Sequence, residues 1–226
     1  MSLHLQRDLE SLHHEVLTQA GRVEQMIYDS VSALCQRRYE LVSSVLAQDD
    51  VVDRKEVQIE EECLKLLALH QPVARDLRHI TTILKLNADL ERIADLACNI
   101  AERAEYLQGF PYFPTPDELS SMAENATEML RMALDSFVNS DTKAAEKVIQ
   151  LEARVDQQNR DVIKELEDLL RLDSTQVEPA LHVFSAARNI EQVADHAENV
   201  AEEVIYMIDG EIIRHKHTQL VRKTNG

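Results

Sequence analysis

The sequence predicts an all-α protein built from two tandem, sequence-related three-helix bundles. Its 226 residues include only 4 Gly, 5 Pro and no Trp, a composition typical of helical proteins. Apolar residues recur at helical spacing along most of the chain. The stretch 86–107 also aligns without a gap on 186–207, so a unit of about half the chain is present twice.

Three helices are predicted in the first unit. Apolar residues from Leu5 to Val45 keep a helical period, which predicts a first helix that ends near residue 47. A second helix is predicted over about 50–70. Pro72 ends it, because a proline disfavours the helical conformation of the residue before it. The third helix is predicted over about 73–108.

Glycine, proline and aromatic residues concentrate in 109–114, which predicts a linker between the two units. Thr115, Pro116 and Glu118 follow at the spacing of a capping box, with the threonine at the N-cap and the proline at the first helical position. A fourth helix is therefore predicted to begin there. We place the first bundle at 1–109, the linker at 110–115, the second bundle at 116–217 and a tail at 218–226.

The second unit repeats the plan of the first. We predict a helix over about 116–138, a turn at 139–141, a helix to about 171, a break at 173–175 and a helix to about 208. Pro179 lies in the first turn of the last helix or defines its start, two alternatives that the sequence leaves open. Gly210 is expected to end that helix. Connections this short give antiparallel neighbouring helices, as in a bundle.

A row of polar residues is kept between the two copies. The shared positions are Glu91/Glu191, Asp95/Asp195, Asn99/Asn199, Glu102/Glu202 and Tyr106/Tyr206. At about 100° per residue, the first four positions cover roughly 80° of one helix side, opposite the apolar stripe. Packing alone does not require such a row. The duplication therefore predicts a site that is present twice, with its acids pointing away from the core.

Each unit carries a second acid pair on its middle helix. The four acid pairs are Asp49/Asp53 and Glu91/Asp95 in the first unit, and Glu152/Asp156 and Glu191/Asp195 in the second. Carboxylates four residues apart lie about 6 Å from each other, and pairs on neighbouring helices are predicted to converge. Such clusters suit Mg, Mn, Ca or Fe. In a chain with 41 Asp and Glu, the alternative is that they are ordinary solvated helix faces.

Charge and cysteine content exclude several classes of protein. The net charge of −17 disfavours binding to nucleic acid or to an anionic membrane. Cys35, Cys63 and Cys98 lie far apart and form no C-x-x-C pair, which favours a reduced cytosolic setting. No secretory segment and no stretch of about 18 apolar residues is present. We therefore expect a soluble, cytoplasmic protein without membrane insertion.

Four stretches of the chain closely resemble the signatures of the PhoU family of phosphate-transport regulators. They are QPVARDLR at 71–78, LERIADLA at 90–97, ADHAENVAEE at 194–203 and VIYMIDGEIIRH at 204–215. The resemblance implies a cytoplasmic, often dimeric protein that couples the ATPase subunit of the phosphate ABC transporter to a sensor histidine kinase. It implies that this protein holds the phosphate-starvation response off when phosphate is plentiful.

The resemblance also implies metal binding, because some family members carry multinuclear iron or zinc clusters on repeated E/D-x-x-x-D motifs. By position, those motifs are the four acid pairs given above, so the expected metals are iron, manganese, magnesium or zinc, without an organic cofactor. Three residues depart from the family pattern. Ala94 and Ala194 replace glycines, and Gln192 replaces an arginine that would balance Glu191. The second unit also lacks QPVARDLR, so the two bundles are expected to have different partners.

Several single residues have two possible roles. Arg75, Asp76 and Arg78 either meet a partner or an anion, or pair with one another at the start of the third helix. His196 is expected to be a surface residue or to lie behind the metal ligands, and Cys98 to be a small packing residue. His13, His14, His215 and His217 show no ligand spacing and are expected to be solvated.

Three functional classes fit the sequence. A regulatory interaction protein is preferred over an enzyme, because the chain has no Gly-rich phosphate loop, no G-x-S-x-G and no H-E-x-x-H. The alternative is a carboxylate-bridged di-metal oxidase or metal store, which would use two inward-facing Glu-x-x-His motifs. Only Glu10 and His13 form such a motif. A helical adaptor without metal is the third possibility.

Overall fold

The computed structural model describes residues 3–213, and every regular element in that range is helical. The seven α-helices are α1 (Leu3–Cys35), α2 (Val42–Leu46), α3 (Asp49–His70), α4 (Ala74–Leu107), α5 (Asp117–Asn139), α6 (Thr142–Leu172) and α7 (Val177–Asp209). Single 3₁₀ turns lie at Tyr39–Leu41 and Ser174–Gln176. The predicted all-α fold of two related three-helix bundles is confirmed.

The first bundle is formed by α1, α3 and α4, with the short α2 packed against α1 and α4. Ion pairs show that α1 and α3 run antiparallel, since Asp8 meets His70 and Glu15 meets Lys55. The second bundle is formed by α5, α6 and α7. The longest helices of the two units, α4 and α7, form the most extensive contact between any two helices. In addition, α1 packs against α5. These contacts join the two bundles through one continuous apolar core.

The first helix is shorter than the sequence predicts. It ends at Cys35, and the chain turns at 36–38, where Arg37 has a positive φ of 57°. The guanidinium of Arg37 donates to the carbonyl oxygens of Pro111 and Phe113, so the turn holds the linker in place. The helical period misled the prediction because α2 buries Val42 and Val45 in the same core. The period of apolar residues shows which side chains are buried. A short interruption of the helix between two buried segments leaves that period unchanged.

The predicted capping box at the start of α5 is not formed. The helix begins at Asp117, and no side chain of the preceding residues caps it. Glu118 instead accepts hydrogen bonds through Oε1 from Ser121 Oγ at 3.1 Å and from Gln158 Nε2 of α6 at 2.8 Å. The glutamate thus links α5 to α6, because a neighbouring helix offers it donors that the sequence alone does not reveal.

The other helix ends agree with the sequence. Pro179 lies in the first turn of α7, which decides between the two alternatives. Ser140 adopts a left-handed conformation after α5, and Gly210, with φ 77°, does so after α7. No helix within 3–213 has the length and apolarity needed to cross a bilayer. The predicted end of the second bundle at 217, the tail at 218–226, His215 and His217 lie outside the described residues.

Candidate functional site

The four predicted acid pairs form two clusters, one in each bundle. Asp49 and Asp53 of α3 lie opposite Glu91 and Asp95 of α4, and Glu152 and Asp156 of α6 lie opposite Glu191 and Asp195 of α7. In each cluster, carboxylates of one helix raise the pKa of carboxylates on the other. The acid pairs of neighbouring helices therefore lie near enough to interact electrostatically.

The first cluster is half-exposed. Burial raises the pKa of Asp49 most, and the carboxylates of Asp53 and Asp95 raise it further. Burial, Asp95 and Asp53 have the same effect on the pKa of Glu91. Arg92 pairs with Asp95 at 3.2 Å, with both side chains at least one third exposed, so this pair adds little stability. The first cluster thus consists of partly desolvated carboxylates, with Arg92 as a counter-charge for Asp95.

Cys98 belongs to the first cluster, contrary to the expectation that it only packs. Its Sγ donates to Asp49 Oδ1 at 3.5 Å. Burial and the nearby Asp49 raise the pKa of the thiol to about 12, so the thiol is protonated at neutral pH. A protonated thiol is a weak nucleophile.

The second cluster is more buried than the first. Glu191 is 9% exposed, and its Oε1 accepts a hydrogen bond from Arg188 at 2.9 Å. Its Oε2 is buried and has no hydrogen-bond partner among the described residues. Burial raises the pKa of Glu152, and the carboxylates of Asp156 and Asp195 raise it further. The second cluster therefore contains a buried carboxylate oxygen without a donor as well as acids that disfavour one another's ionisation.

Glu198 is a member of the second cluster that the sequence analysis did not include. Burial raises its pKa to about 7, and Glu152, Glu202, Asp195 and Asp156 all contribute to the shift. The signal was available, because Glu198 follows Asp195 by three residues and so lies on the same helix face. The copy-to-copy comparison hid it, since the matching residue is Cys98 and only shared acids were counted.

The prediction that the acid row points away from the core is only partly correct. Asp195 and Asn99 are exposed, whereas Glu191 and Glu202 are buried. The reason is that α7 is covered by α4, α5 and α6, so little of its circumference remains in contact with solvent. A helical wheel separates apolar from polar sides, but it does not show how many neighbours a helix has.

Gln192 does not leave Glu191 without a counter-charge. Arg188, one turn earlier on α7, supplies the guanidinium that the family pattern places at 192. The methyl groups of Ala94 and Ala194 are buried in the core, with both residues 1% exposed. The departures from the family pattern are therefore accommodated within the helices, and the charge balance of Glu191 is restored by a neighbour.

The donor chemistry of both clusters fits a metal ion, but the side chains are not gathered around one. Within 3–213, no three His, Cys, Asp or Glu side chains are arranged to hold a common ion. Arginines instead form ion pairs with some of these carboxylates. The pairs are Arg92 with Asp95, Arg160 with Asp156 and Arg188 with Glu191. The carboxylates together with the buried, unpartnered Oε2 of Glu191 provide oxygen ligands of the kind that Mg, Mn and Fe prefer.

The residues of the QPVARDLR segment have distinct roles. Arg75 is exposed and forms no ion pair with any residue in 3–213. Arg78 donates from Nε to the carbonyl oxygen of Met207 at 3.3 Å and lies against Gly210, so it satisfies the end of α7. Neither arginine pairs with Asp76, which removes that alternative for the described residues. Arg75 is thus available to a partner, while Arg78 is structural.

His14 is exposed as predicted, whereas His13 and His196 make contacts that the sequence did not indicate. His196 is half-buried and meets Asp89 of α4 through Nδ1 at 2.8 Å, so it bridges the two bundles. His13 is not solvated, because it stacks on Phe137 with ring centroids 4.9 Å apart. Its motif partner Glu10 is exposed and bonds Gln6. The Glu-x-x-His motif therefore does not face a shared cavity as a di-metal oxidase requires.

Fold and site together define a duplicated helical-bundle protein with an acid cluster on each repeat. The PhoU domain, as a sequence family, matches the chain twice, over residues 16–104 and 119–204. The chain therefore belongs to the PhoU family, as its signatures indicated.

Curated relatives and solved structures agree with this assignment. The chain is 39% identical over 211 residues to the "Phosphate-specific transport system accessory protein PhoU homolog" of Aquifex aeolicus, covering 93% of this chain and 96% of the relative. It is 35% identical to the homolog of Deinococcus radiodurans, covering 91% and 97%. The crystal structure of PhoU from Pseudomonas aeruginosa superposes with a TM-score of 0.87 at 34% identity, covering 91% and 99%. These relatives are named as accessory proteins, which agrees with the prediction that the chain is not an enzyme.

Proposed function

We propose that this protein regulates phosphate uptake and represses the phosphate-starvation response from the cytoplasm. In this proposal it acts as an adaptor between the ATPase subunit of the phosphate ABC transporter and a sensor histidine kinase. The observation that carries the proposal is the match of the PhoU domain over both halves of the chain. The relatives' names place those proteins in the phosphate-specific transport system.

The physical properties of the chain support action through protein contacts. A net charge of −17 provides no general cationic surface for DNA. The decisive comparison measures binding to promoter DNA, to the transporter ATPase and to the cytoplasmic sensor region of the kinase at matched near-physiological salt. We expect binding to at least one protein and none to DNA. Tight, sequence-dependent DNA binding without binding to either protein would contradict the adaptor role.

The turn between α3 and α4 is the proposed contact with one of these partners. Arg75 is exposed there beside Val73, which is 74% exposed, and Leu77, which is 40% exposed. A cation beside apolar side chains that face solvent has the composition of a protein-binding surface. The equivalent stretch of the second bundle, 176–182, has no arginine, so the contact belongs to the first bundle.

Replacement of Arg75 tests this surface. We expect Arg75→Ala to weaken the complex by about 1 to 2 kcal/mol and to derepress starvation genes in phosphate-rich medium. Arg154→Ala is the matched control, because Arg154 is another exposed arginine, on α6. Arg78 is unsuitable for this test, since its loss would disturb the end of α7. Unchanged affinity and repression at normal protein abundance would remove Arg75 from the mechanism.

We also propose that the acid clusters bind iron, manganese, magnesium or zinc. The proposal is supported by carboxylates that raise one another's pKa values across neighbouring helices and by the buried Oε2 of Glu191. A bound cation would neutralise charge that the arginines offset only in part, and would thereby stabilise the clusters. The residues that would hold it are Asp49, Asp53, Glu91 and Asp95 in the first bundle, and Glu152, Asp156, Glu191 and Asp195 in the second.

Equilibrium dialysis of the full chain against Mn²⁺ tests metal binding. We expect Glu91→Gln with Asp95→Asn to lower the bound metal of the first bundle without loss of helicity, because removing like charges does not destabilise a helix. Asp161→Asn with Glu165→Gln is the matched control, since these acids are also four residues apart but exposed on α6. Equal metal binding by all three proteins would show that the first cluster is not a site.

The protein is further proposed to act as a homodimer, as its family resemblance implies. Sedimentation equilibrium across a range of concentrations tests this directly, and a single species at monomer mass throughout would contradict it.

A further inference from the structure

Two histidines lie where the two bundles meet. His13 comes from α1 and His79 from α4, with ring centroids 5.7 Å apart and planes at 79°. Phe137 of α5 stacks on His13 at 4.9 Å and meets His79 edge-on at 6.4 Å. This cluster of His13, His79 and Phe137 therefore connects two helices of the first bundle to the first helix of the second.

Both imidazoles are partly sealed from water. His13 Nδ1 and His79 Nε2 are buried, and neither has a hydrogen-bond partner among the described residues. Phe137 is 1% exposed, so the side of the cluster that faces α5 is apolar. A protonated imidazole donates from both ring nitrogens. Protonation would place a charge and an unbonded donor in this setting, which disfavours the packed arrangement.

The ionised groups around the cluster do not reverse this preference. On α4, Arg75 disfavours protonation of His79 and Asp76 favours it, while His13 of α1 disfavours it as well. On α5, the group facing the pair is the uncharged ring of Phe137. Burial is the largest effect on each imidazole and lowers both pKa values. A cation–π contact with Phe137 would favour the imidazolium, but it is weaker than the desolvation of a buried charge.

We infer that the cluster of His13, His79 and Phe137 is a pH-sensitive contact between the two bundles. While both imidazoles are neutral, α5 stays packed against α1 and α4, and protonation of either imidazole loosens α5. This pH-sensitive contact uses neither the acid clusters nor the proposed binding of a partner by Arg75. It is therefore independent of metal binding and of the adaptor role. It would make the relative position of the two bundles responsive to cytoplasmic acidification.

The direction of the pH dependence follows from linkage. In the unfolded chain a histidine has a pKa of about 6.5, whereas burial lowers the pKa of His13 and His79 in the folded protein. The contact therefore contributes fully above about pH 6.5, and its contribution is lost as the pH falls below that value. The acid clusters act in the opposite direction, since their raised pKa values stabilise the folded state as pH falls. Wild type must therefore be compared with a variant that lacks only the imidazoles.

The test is urea unfolding of the full chain between pH 7.5 and 5.5, for wild type and for His13→Phe with His79→Phe. Phenylalanine is aromatic but cannot be protonated. Relative to the variant, we expect the unfolding constant of wild type to rise by up to about tenfold per pH unit for each imidazole. His14→Gln is the matched control, since His14 is adjacent but exposed, and it should behave as wild type. Identical pH dependence of wild type and the double variant would overturn the inference.

A second measurement needs no substitution and so does not depend on the folding of the variant. Imidazole ring protons assigned to His13 and His79 and followed by NMR should show that both titrate below pH 6.5. Amide hydrogen exchange, corrected for its intrinsic pH dependence, should accelerate in α1 and α5 more than in α6 between pH 7 and 5.5. Titration of His13 and His79 at or above pH 6.5, or uniform acceleration in all helices, would contradict a contact between the bundles that responds to pH.

Discussion

The same position of the two repeats carries different chemistry at Cys98 and Glu198. Cys98 donates a hydrogen bond to one carboxylate, and its raised pKa keeps the thiol neutral at physiological pH. Glu198 adds a fifth acid to four carboxylates that already interact, and its pKa rises to about 7. The first repeat therefore places a neutral hydrogen-bond donor beside its carboxylates. The second repeat adds another acid, whose negative charge only protons or cations can offset.

Replacement of Glu198 by glutamine should stabilise the metal-depleted protein at high pH. The folded pKa of about 7 lies above the unfolded value of about 4.3, so the stabilising contribution of the group is complete only below about pH 4.3. Its contribution is lost as the pH rises through 7. With a discount for partial exposure, we expect Glu198→Gln to gain about 1 to 2 kcal/mol at pH 8.

The measurement is urea unfolding in the presence of a chelator, at pH 8 and at pH 4.5. The gain should be much smaller at pH 4.5, where Glu198 of the folded wild type is itself protonated. Glu165→Gln is the control, because Glu165 is exposed on the same bundle. An equal gain at both pH values would show that the carboxylate charge of Glu198 is not the cause.

At the scale of single residues, the sequence predicted which acids lie near one another. It did not predict how strongly burial and neighbouring charges affect each of them. The spacing of Glu91 and Asp95 and their repetition at Glu191 and Asp195 identify one face of each helix. The burial of Glu191 and its pairing with Arg188 depend on how neighbouring helices cover α7. Those quantities come from tertiary packing, which a single helical wheel does not contain.

At the scale of elements, the ends of the helices depend on individual side chains. The carboxylate of Asp141 accepts hydrogen bonds from the backbone N–H groups of Lys143 at 3.0 Å and Ala144 at 3.1 Å. It therefore caps α6, as an aspartate at the N-cap does in many helices. Before it, Ser140 with φ 51° reverses the chain, and Asp141 N bonds the carbonyl oxygen of Ser136 at 2.9 Å. These bonds fix the tight turn between α5 and α6.

Removal of this cap should destabilise the protein by about 1 kcal/mol, within the range of about 0.5 to 2 kcal/mol for N-cap replacements. Asp141→Ala leaves two backbone donors without their acceptor, which is the reason for the loss. Thr115→Ala provides the contrast, because no side chain caps α5 and little change is expected. Urea unfolding measures both. A larger effect of Thr115→Ala than of Asp141→Ala would contradict the capping described for the two helices.

Helix existence was predictable from sequence, whereas the end of α1 and the capping of α5 were not. Local rules succeed at 139–141 and at Gly210, where the residues that end the helix also satisfy its backbone. They fail at 36–38, where Arg37 is held by carbonyl groups of a linker more than 70 residues away. They fail again at Glu118, whose acceptor capacity is used by Gln158 of another helix. Long-range partners decided both cases.

At the scale of the whole molecule, α4 and α7 form an antiparallel seam between the two repeats. Along it, Arg78 meets Met207, Thr82 and Lys85 meet Glu203, and Asp89 meets His196. In the alignment of the two copies, Asp89 corresponds to Asn189 and His196 corresponds to Leu96. Neither Asn189 nor Leu96 is charged. The duplicated fold is therefore joined by bonds that are not duplicated. The two ends of the seam therefore differ, and the two bundles are not equivalent in their contacts along it.

The ion pair between Lys85 and Glu203 is expected to contribute most among these seam contacts. The Nζ of Lys85 lies 2.9 Å from both carboxylate oxygens of Glu203, whose side chain is 6% exposed. Loss of a cation from a buried carboxylate costs far more than loss of a surface ion pair, because the carboxylate has already been removed from water. Since Lys85 itself is 39% exposed, we expect Lys85→Met to destabilise the protein by about 2 kcal/mol.

Arg92→Met is the matched control, because Arg92 pairs with Asp95 on the exposed face of the same helix and its loss should cost at most about 1 kcal/mol. Urea unfolding followed by circular dichroism measures both variants. If the seam holds the bundles together, amide exchange of Lys85→Met should also accelerate in α4 and α7, while Arg92→Met should not change it. Equal stability of the two variants would show that the charge pair at the seam contributes no more than a surface pair.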